Sequence, residues 1–247
     1  ALSGYNISII VWAVMGILLL FFGRRISFLI ASFVILGFVL MTGAESSVVR
    51  AAIMAFLVLF ARETGRVYDL RNAIIFTGFF MIIQNPKILV FDIGFELSFL
   101  AMLGIVYLRP ALQKLFRFKD GEAGFLSWKD NLLTTTSAQL MVAPMLIANF
   151  NNFSLTSLAA NVLVLEVVPL IMALGFLIAF LSFISYSLSL ILGWLVWPLL
   201  KFGMLVIQIF AKLSVPVRIE LSLAIGLVYY FVIVFFIVYA NKRMVTK

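Results

Sequence analysis

The chain has 247 residues, of which 65% are hydrophobic and 11% charged, where soluble domains are roughly 45–50% apolar and about 25% charged; too few polar groups remain to cover a water-facing surface. Cysteine and histidine are both absent, which excludes disulfides, thiolate chemistry, His-ligated metals and imidazole bases within these residues. The net charge of +8 would suggest anionic partners in a soluble protein, but in a membrane protein it first reflects Lys and Arg held in cytoplasmic loops.

A helix crosses the hydrocarbon core with about 20 mostly apolar residues. In chain order the apolar runs predict spans over 5–22, 26–42, 46–61, 71–84, 89–108, 131–149, 155–182, 186–200 and 221–240. The fold class expected is an all-α polytopic integral membrane protein, with about eight or nine transmembrane helices and one or two interfacial amphipathic helices. All of 1–247 reads as one transmembrane domain, and the start at Ala1 suggests a piece of a longer protein. Gly23-Arg24-Arg25 allows only a tight hairpin between the first two spans. The runs 46–61 and 71–84 are short, as expected of tilted helices or of helices lining a cavity.

Two segments read differently. Residues 110–130 place Leu112, Leu115, Phe116, Phe118, Phe125 and Trp128 among charges, the pattern of a segment lying in the cytoplasmic interface. Residues 198–216 carry Lys201 and Lys212 on an apolar stretch bounded by prolines. They read as an outer interfacial helix with snorkelling lysines, the alternative being an extension of the eighth span.

Basic residues orient the chain. Arg24 and Arg25 follow the first span, Arg62, Arg66 and Arg71 the third, and Arg109, Lys114, Arg117, Lys119 and Lys129 the fifth; Lys242, Arg243 and Lys247 close the chain. Of the intervening loops, only that around 85–87 is basic, through Lys87. With nine crossings the chain starts outside and ends in the cytoplasm.

Charges at bilayer depth cost roughly 2.5–3.5 kcal/mol each on insertion scales and suggest function. Glu45, Arg50, Asp92, Glu96 and Glu166 lie in or beside predicted spans. On one continuous helix Asp92 and Glu96 share a face, and two neighbouring carboxylates repel unless one is protonated or paired. Arg50 is the evident countercharge, expected in the first turn of a span capped by Ser46 or Ser47. Such a cluster is either a buried ion pair fixing helix register, the lining of an aqueous pathway, or a set of groups at the membrane interface. Thr134, Thr135, Thr136, Ser137 and Gln139 form one further polar run, and Asn149, Asn151, Asn152 and Asn161 another. Gln139 and Asn161 are costly to bury in lipid and are expected to face the bundle interior. No nucleophile–base pair, metal-ligand spacing or glycine-rich phosphate loop is present, so no enzyme activity and no cofactor are expected.

The order of these polar islands resembles a known family. Leu2-Ser3-Gly4-Tyr5-Asn6-Ile7, Thr42-Gly43 with Ser47-Val48-Val49-Arg50-Ala51-Ala52, and Asp92-Ile93-Gly94-Phe95-Glu96-Leu97-Ser98-Phe99 are similar to motifs of the competence domain in ComEC-type DNA-uptake channels. Ser137-Ala138-Gln139, Phe153-Ser154-Leu155, Ala160-Asn161 and Pro169 continue the pattern. Asn6 stands where the family usually has His, Glu96 where Gln is common and Glu166 where Pro is frequent. The resemblance implies passage of single-stranded DNA across the bacterial cytoplasmic membrane in natural transformation. Its implied partners are a cytoplasmic helicase-like motor and outer DNA-binding and nuclease domains or proteins; it sets no oligomeric state. Candidate pathway residues are Ser3, Asn6, Glu45, Ser47, Arg50, Asp92, Glu96, Gln139 and Asn161. Arg24, Arg25, Arg62, Arg66 and Arg71 are candidate phosphate contacts at the cytoplasmic mouth. The alternatives are a proton- or cation-coupled transporter using Arg50, Asp92 and Glu96, and a membrane scaffold for a nuclease.

Overall fold

The computed structural model describes residues 4–116, 128–150, 156–213 and 223–242, and among these the chain is helical with no strand. The helices are α1 (Gly4–Phe21), α2 (Arg24–Met41), α3 (Ser46–Glu63), α4 (Leu70–Gln84), α5 (Ile88–Phe91) and α6 (Ile93–Leu103). A π-helical turn over Gly104–Leu108 leads into α7 (Arg109–Leu115), followed by α8 (Trp128–Phe150), α9 (Thr156–Ser182), α10 (Tyr186–Lys212) and α11 (Leu223–Lys242). Among the described residues, five stretches are long and apolar enough to cross a membrane: Arg24–Met41, Ile93–Leu115, Lys129–Asn149, Ala159–Ser182 and Tyr186–Lys212. Ile7–Phe21, Leu70–Gln84 and Ala224–Ala240 are shorter apolar helices. Large side chains such as Leu20, Phe33, Ile75 and Phe231 stand exposed on them, as lipid-facing positions require. The chain is an all-α membrane protein.

The chain forms two compact units, residues 1–102 and 103–247. In the first, α1, α2 and α3 pack on one another around Ile7, Val11, Ala31, Ile35, Val48, Ala51, Ala52 and Leu59. Their spacing of three and four residues along each helix is what puts them on one face. Thr42 and Thr64 end α2 and α3 in the same way. The glycine that follows each takes a positive φ, +74° at Gly43 and +68° at Gly65. Ala44 N–H then donates to the Val39 carbonyl at 3.0 Å, and Arg66 N–H to that of Ala61 at 2.9 Å, closing the last carbonyls of each helix. At α4, the Asp69 side chain caps the first turn through Arg71 and Asn72 N–H.

In the second unit α9 packs along α10 and against α8, while α11 packs against α7 and the π turn. Leu108, Leu112 and Leu133 form a core joined by Ile233, Phe236 and Ile237 of α11. The π turn directly precedes Pro110, whose missing N–H and bulky ring disrupt the α-helical ladder there. A Cβ on Gly104 would stand 2.6 Å from the Ser137 carbonyl oxygen and 2.9 Å from Met141 Cβ, so only glycine lets α8 approach this closely.

Two expected boundaries move. The fifth span does not run unbroken over 89–108: Asp92 adopts extended backbone, separating α5 from α6, and the helical path continues to Leu115. Residues 186–212 form one helix through Pro198, so no separate element begins at 198; in lipid, neighbouring groups re-satisfy a proline-broken ladder and the helix continues. Residues 117–127 and 214–216, parts of the two expected interfacial segments, lie outside the described residues.

Candidate functional site

The first unit places its polar residues at the two ends of α3. At the N-terminal end, Glu45 rather than Ser46 or Ser47 is the cap residue, and its side chain makes no capping bond. Its carbonyl instead accepts from Val48 and Val49 N–H at 2.9 Å each. The carboxylate of Glu45 is exposed, while Ser46 and Ser47 are half-buried. Ser46, one position into the helix, donates its hydroxyl to Asp92 Oδ1 at 3.0 Å.

Asp92 sits between two helices rather than within one. Its φ of −114° and ψ of 94° free its side chain to fold over the next turn, where Oδ1 accepts from Phe95 N–H at 2.9 Å. Asp92 is thus the N-cap of α6. A Cβ on Gly94 would lie 3.1 Å from Asp92 Oδ1 and 3.2 Å from Ser46 Oγ, so the small residue keeps this three-way junction closed. Glu96 falls in the first turn of α6, where a carboxylate is favoured by the helix dipole. The expectation that Asp92 and Glu96 share a face of one continuous helix is therefore corrected: the helix breaks at Asp92.

Arg50 lies one turn into α3 and is buried, with 9% of its surface exposed. Its Nε has no hydrogen-bond acceptor. The expected pairing with Asp92 or Glu96 is not formed: Asp92 bonds to Ser46 and Phe95, and Glu63 rather than Asp92 or Glu96 is the acid that pairs with arginines in this unit. Asp92 is held by a hydroxyl and an amide instead, and these neutral donors replace the guanidinium. The first unit thus buries a cation with no carboxylate against it.

At the other end of α3, Arg24 and Arg25 approach Glu63 at 3.7 and 3.8 Å, and Arg24 also donates to the Arg62 carbonyl. The Arg62 guanidinium stands 4.9 Å from the Trp12 ring centroid. Arg66 and Arg71 are exposed beyond this end, and the Arg71 amide is part of the Asp69 cap. Three of the five expected mouth arginines therefore meet. In the connection between α3 and α4, burial first and the neighbouring Asp69 second push the Tyr68 phenol above its ordinary value. Glu63 and Trp12, which organise this end, were not evident as site residues; an acid directly after Arg62 at the end of the third apolar run was the available signal.

In the second unit Gln139 is half-buried on α8, two residues from the fully buried Ser137. Asn161 is exposed on α9, so within its own unit it does not take the inward placement expected of it. It lies within two turns of the start of α9 at Thr156, a depth at which a spanning helix still meets polar headgroups. Ser3 and the side chains of Asn6 and Glu166 lie outside the described residues.

The sequence model of one family, described as Competence protein, matches residues 1–243. No curated protein and no solved structure matches the chain.

Proposed function

The chain belongs to the Competence protein family, and from that premise we propose that it conducts single-stranded DNA across the bacterial cytoplasmic membrane during natural transformation. The observation that carries this reading is Arg50, a guanidinium buried in a membrane helix bundle with its Nε unpartnered. A buried charge without a partner costs several kcal/mol, and a passing phosphate offsets that cost with short charge-assisted hydrogen bonds. Each phosphate entering a cell with a negative interior is opposed by about 2.3 kcal/mol per charge per 100 mV. The sequence has no nucleotide-binding loop, so the work must come from elsewhere. A cytoplasmic motor that pulls the strand supplies it, and outer DNA-binding and nuclease modules deliver the single strand. On this reading the basic end formed by Arg24, Arg25 and Arg62 receives phosphates as they emerge. Glu63 is half-buried, but the two arginines it holds are exposed at 3.7 and 3.8 Å, a separation longer than a hydrogen bond, so their guanidinium groups remain open to phosphate.

Arg50→Ala tests the proposal. Uptake of labelled DNA should fall at least tenfold, roughly the worth of one charged hydrogen bond, while the amount of protein in the membrane is unchanged. Arg50→Lys, which keeps the charge but not the planar fork, should retain part of the uptake. Full uptake by Arg50→Ala at normal membrane abundance would defeat the reading. Proton or cation flux abolished by Asp92→Asn or Glu96→Gln would favour a coupled transporter instead.

A further inference from the structure

Helix α8 carries Pro144 in its interior. Proline has no amide hydrogen, so the carbonyl four residues earlier, that of Leu140, loses its helical donor. The ring also crowds that carbonyl. In hydrocarbon no water replaces the missing donor, and a bare carbonyl is costly. Leu140 is on the outer side of its unit, 37% exposed.

Two consecutive tyrosines of α11 meet this turn. The Tyr229 hydroxyl donates to the Leu140 carbonyl at 2.9 Å, and the Tyr230 hydroxyl donates to the Met141 carbonyl at 3.2 Å. Their rings lie edge to face, with 82° between the planes and 6.0 Å between centroids. Neighbouring side chains on a helix diverge by about 100°, yet both hydroxyls converge on one turn of α8. Further along α11, Ile233, Phe236 and Ile237 pack on the core that includes Leu133 of α8. The two helices therefore contribute to one apolar core and, two turns along α8, meet again at the proline turn.

We propose that Tyr229 and Tyr230 are positioning residues: the Tyr229 hydroxyl takes the place of the one donor that α8 loses at Pro144, the Tyr230 hydroxyl adds a donor to the next carbonyl, and together they hold the proline turn of the helix bearing Ser137 and Gln139. The functional arm of this proposal rests on the DNA-uptake reading; the hydrogen-bond substitution does not. Neither tyrosine belongs to the polar islands on which the family resemblance stands.

Tyr229→Phe removes only the hydroxyl. Pro144→Ala returns an N–H at residue 144, which can donate to the Leu140 carbonyl in the ordinary helical way. The two substitutions and their combination are compared with the parent protein, in thermal unfolding of the purified chain in lipid nanodiscs and in uptake of labelled DNA at matched membrane abundance. Tyr229→Phe should lower the unfolding midpoint and reduce uptake roughly fivefold in the parent, the scale of one interhelical hydrogen bond, and change neither when Pro144→Ala is present. An equal effect of Tyr229→Phe in both backgrounds would overturn the substitution of one donor for the other. A lowered midpoint with unchanged uptake would overturn the positioning role. If the parent itself imports no DNA, the uptake reading fails while the unfolding comparison still decides the hydrogen-bond substitution.

Discussion

Asp92 carries two tasks through one oxygen: Oδ1 closes the first turn of α6 through Phe95 N–H and holds the start of α3 through Ser46 Oγ. Removing an N-cap typically costs about 1 kcal/mol, and the stranded serine hydroxyl adds to the loss. Asp92→Ala should therefore destabilise the first unit by about 1–3 kcal/mol, read as a lowered unfolding midpoint in nanodiscs. Asp92→Asn should cost much less, because asparagine caps as well as aspartate and keeps an acceptor oxygen. Ser46→Ala alone should cost less than Asp92→Ala and add little to it, since the two share one bond. Full additivity would show that the hydroxyl and the carboxylate act independently. The importance of Asp92 was legible in the sequence as a rare charge in an apolar run. Its role was hidden because Ile88–Phe91 and Ile93–Leu103 are equally apolar on both sides of it, so periodicity alone reads straight through the break. Arg50 was legible as a buried charge for the same reason of rarity; that it would be left without a carboxylate depends on backbone geometry far along the chain.

Among the elements, the helix that runs from Ile93 to Leu115 departs most from regularity, with a π turn at Gly104–Leu108 ahead of Pro110. Hydropathy located this span because it sums transfer free energies over a window, and that sum is blind to how the backbone turns. The close approach of Gly104 to Ser137 joins residues 33 positions apart, and no local pattern encodes such a contact. Gly104→Ala should be among the costly glycine substitutions in the chain, since its Cβ would meet a backbone carbonyl and the Cβ of Met141 rather than a flexible side-chain tip. Overpacking of this kind costs about 1–3 kcal/mol. The same change at Gly175, which has open space around its Cβ position, should be neutral or slightly stabilising through helix propensity. Parallel unfolding curves of the two variants decide the matter: similar midpoints would mean that α8 can move away from the π turn at little cost.

For the molecule as a whole, the first unit alone sets a direction across the membrane. Helix α3 has 18 residues and is about 27 Å long at 1.5 Å per residue, close to the thickness of the hydrocarbon core. Its N-terminal end gathers Glu45 and Asp92, and its C-terminal end gathers Arg24, Arg25, Arg62 and Glu63. The α1–α2 turn and the end of α3 meet there, the arrangement that loop charges lead one to expect if α1, α2 and α3 each cross. The positive-inside rule assigns the basic end to the cytoplasm; on the DNA-uptake reading proposed above, an incoming polyanion would then leave an acidic entrance, pass Arg50 and reach basic residues on the side of the proposed motor. The absence of cysteine makes this orientation directly measurable. A single cysteine at the exposed Glu45 position should react with a membrane-impermeant maleimide added to intact spheroplasts, and one at the exposed Arg66 position should not. In inverted membrane vesicles the pattern should reverse. Labelling of both positions from the same side would show that α3 does not cross, and would remove the geometric basis for placing Arg50 along a path through the membrane.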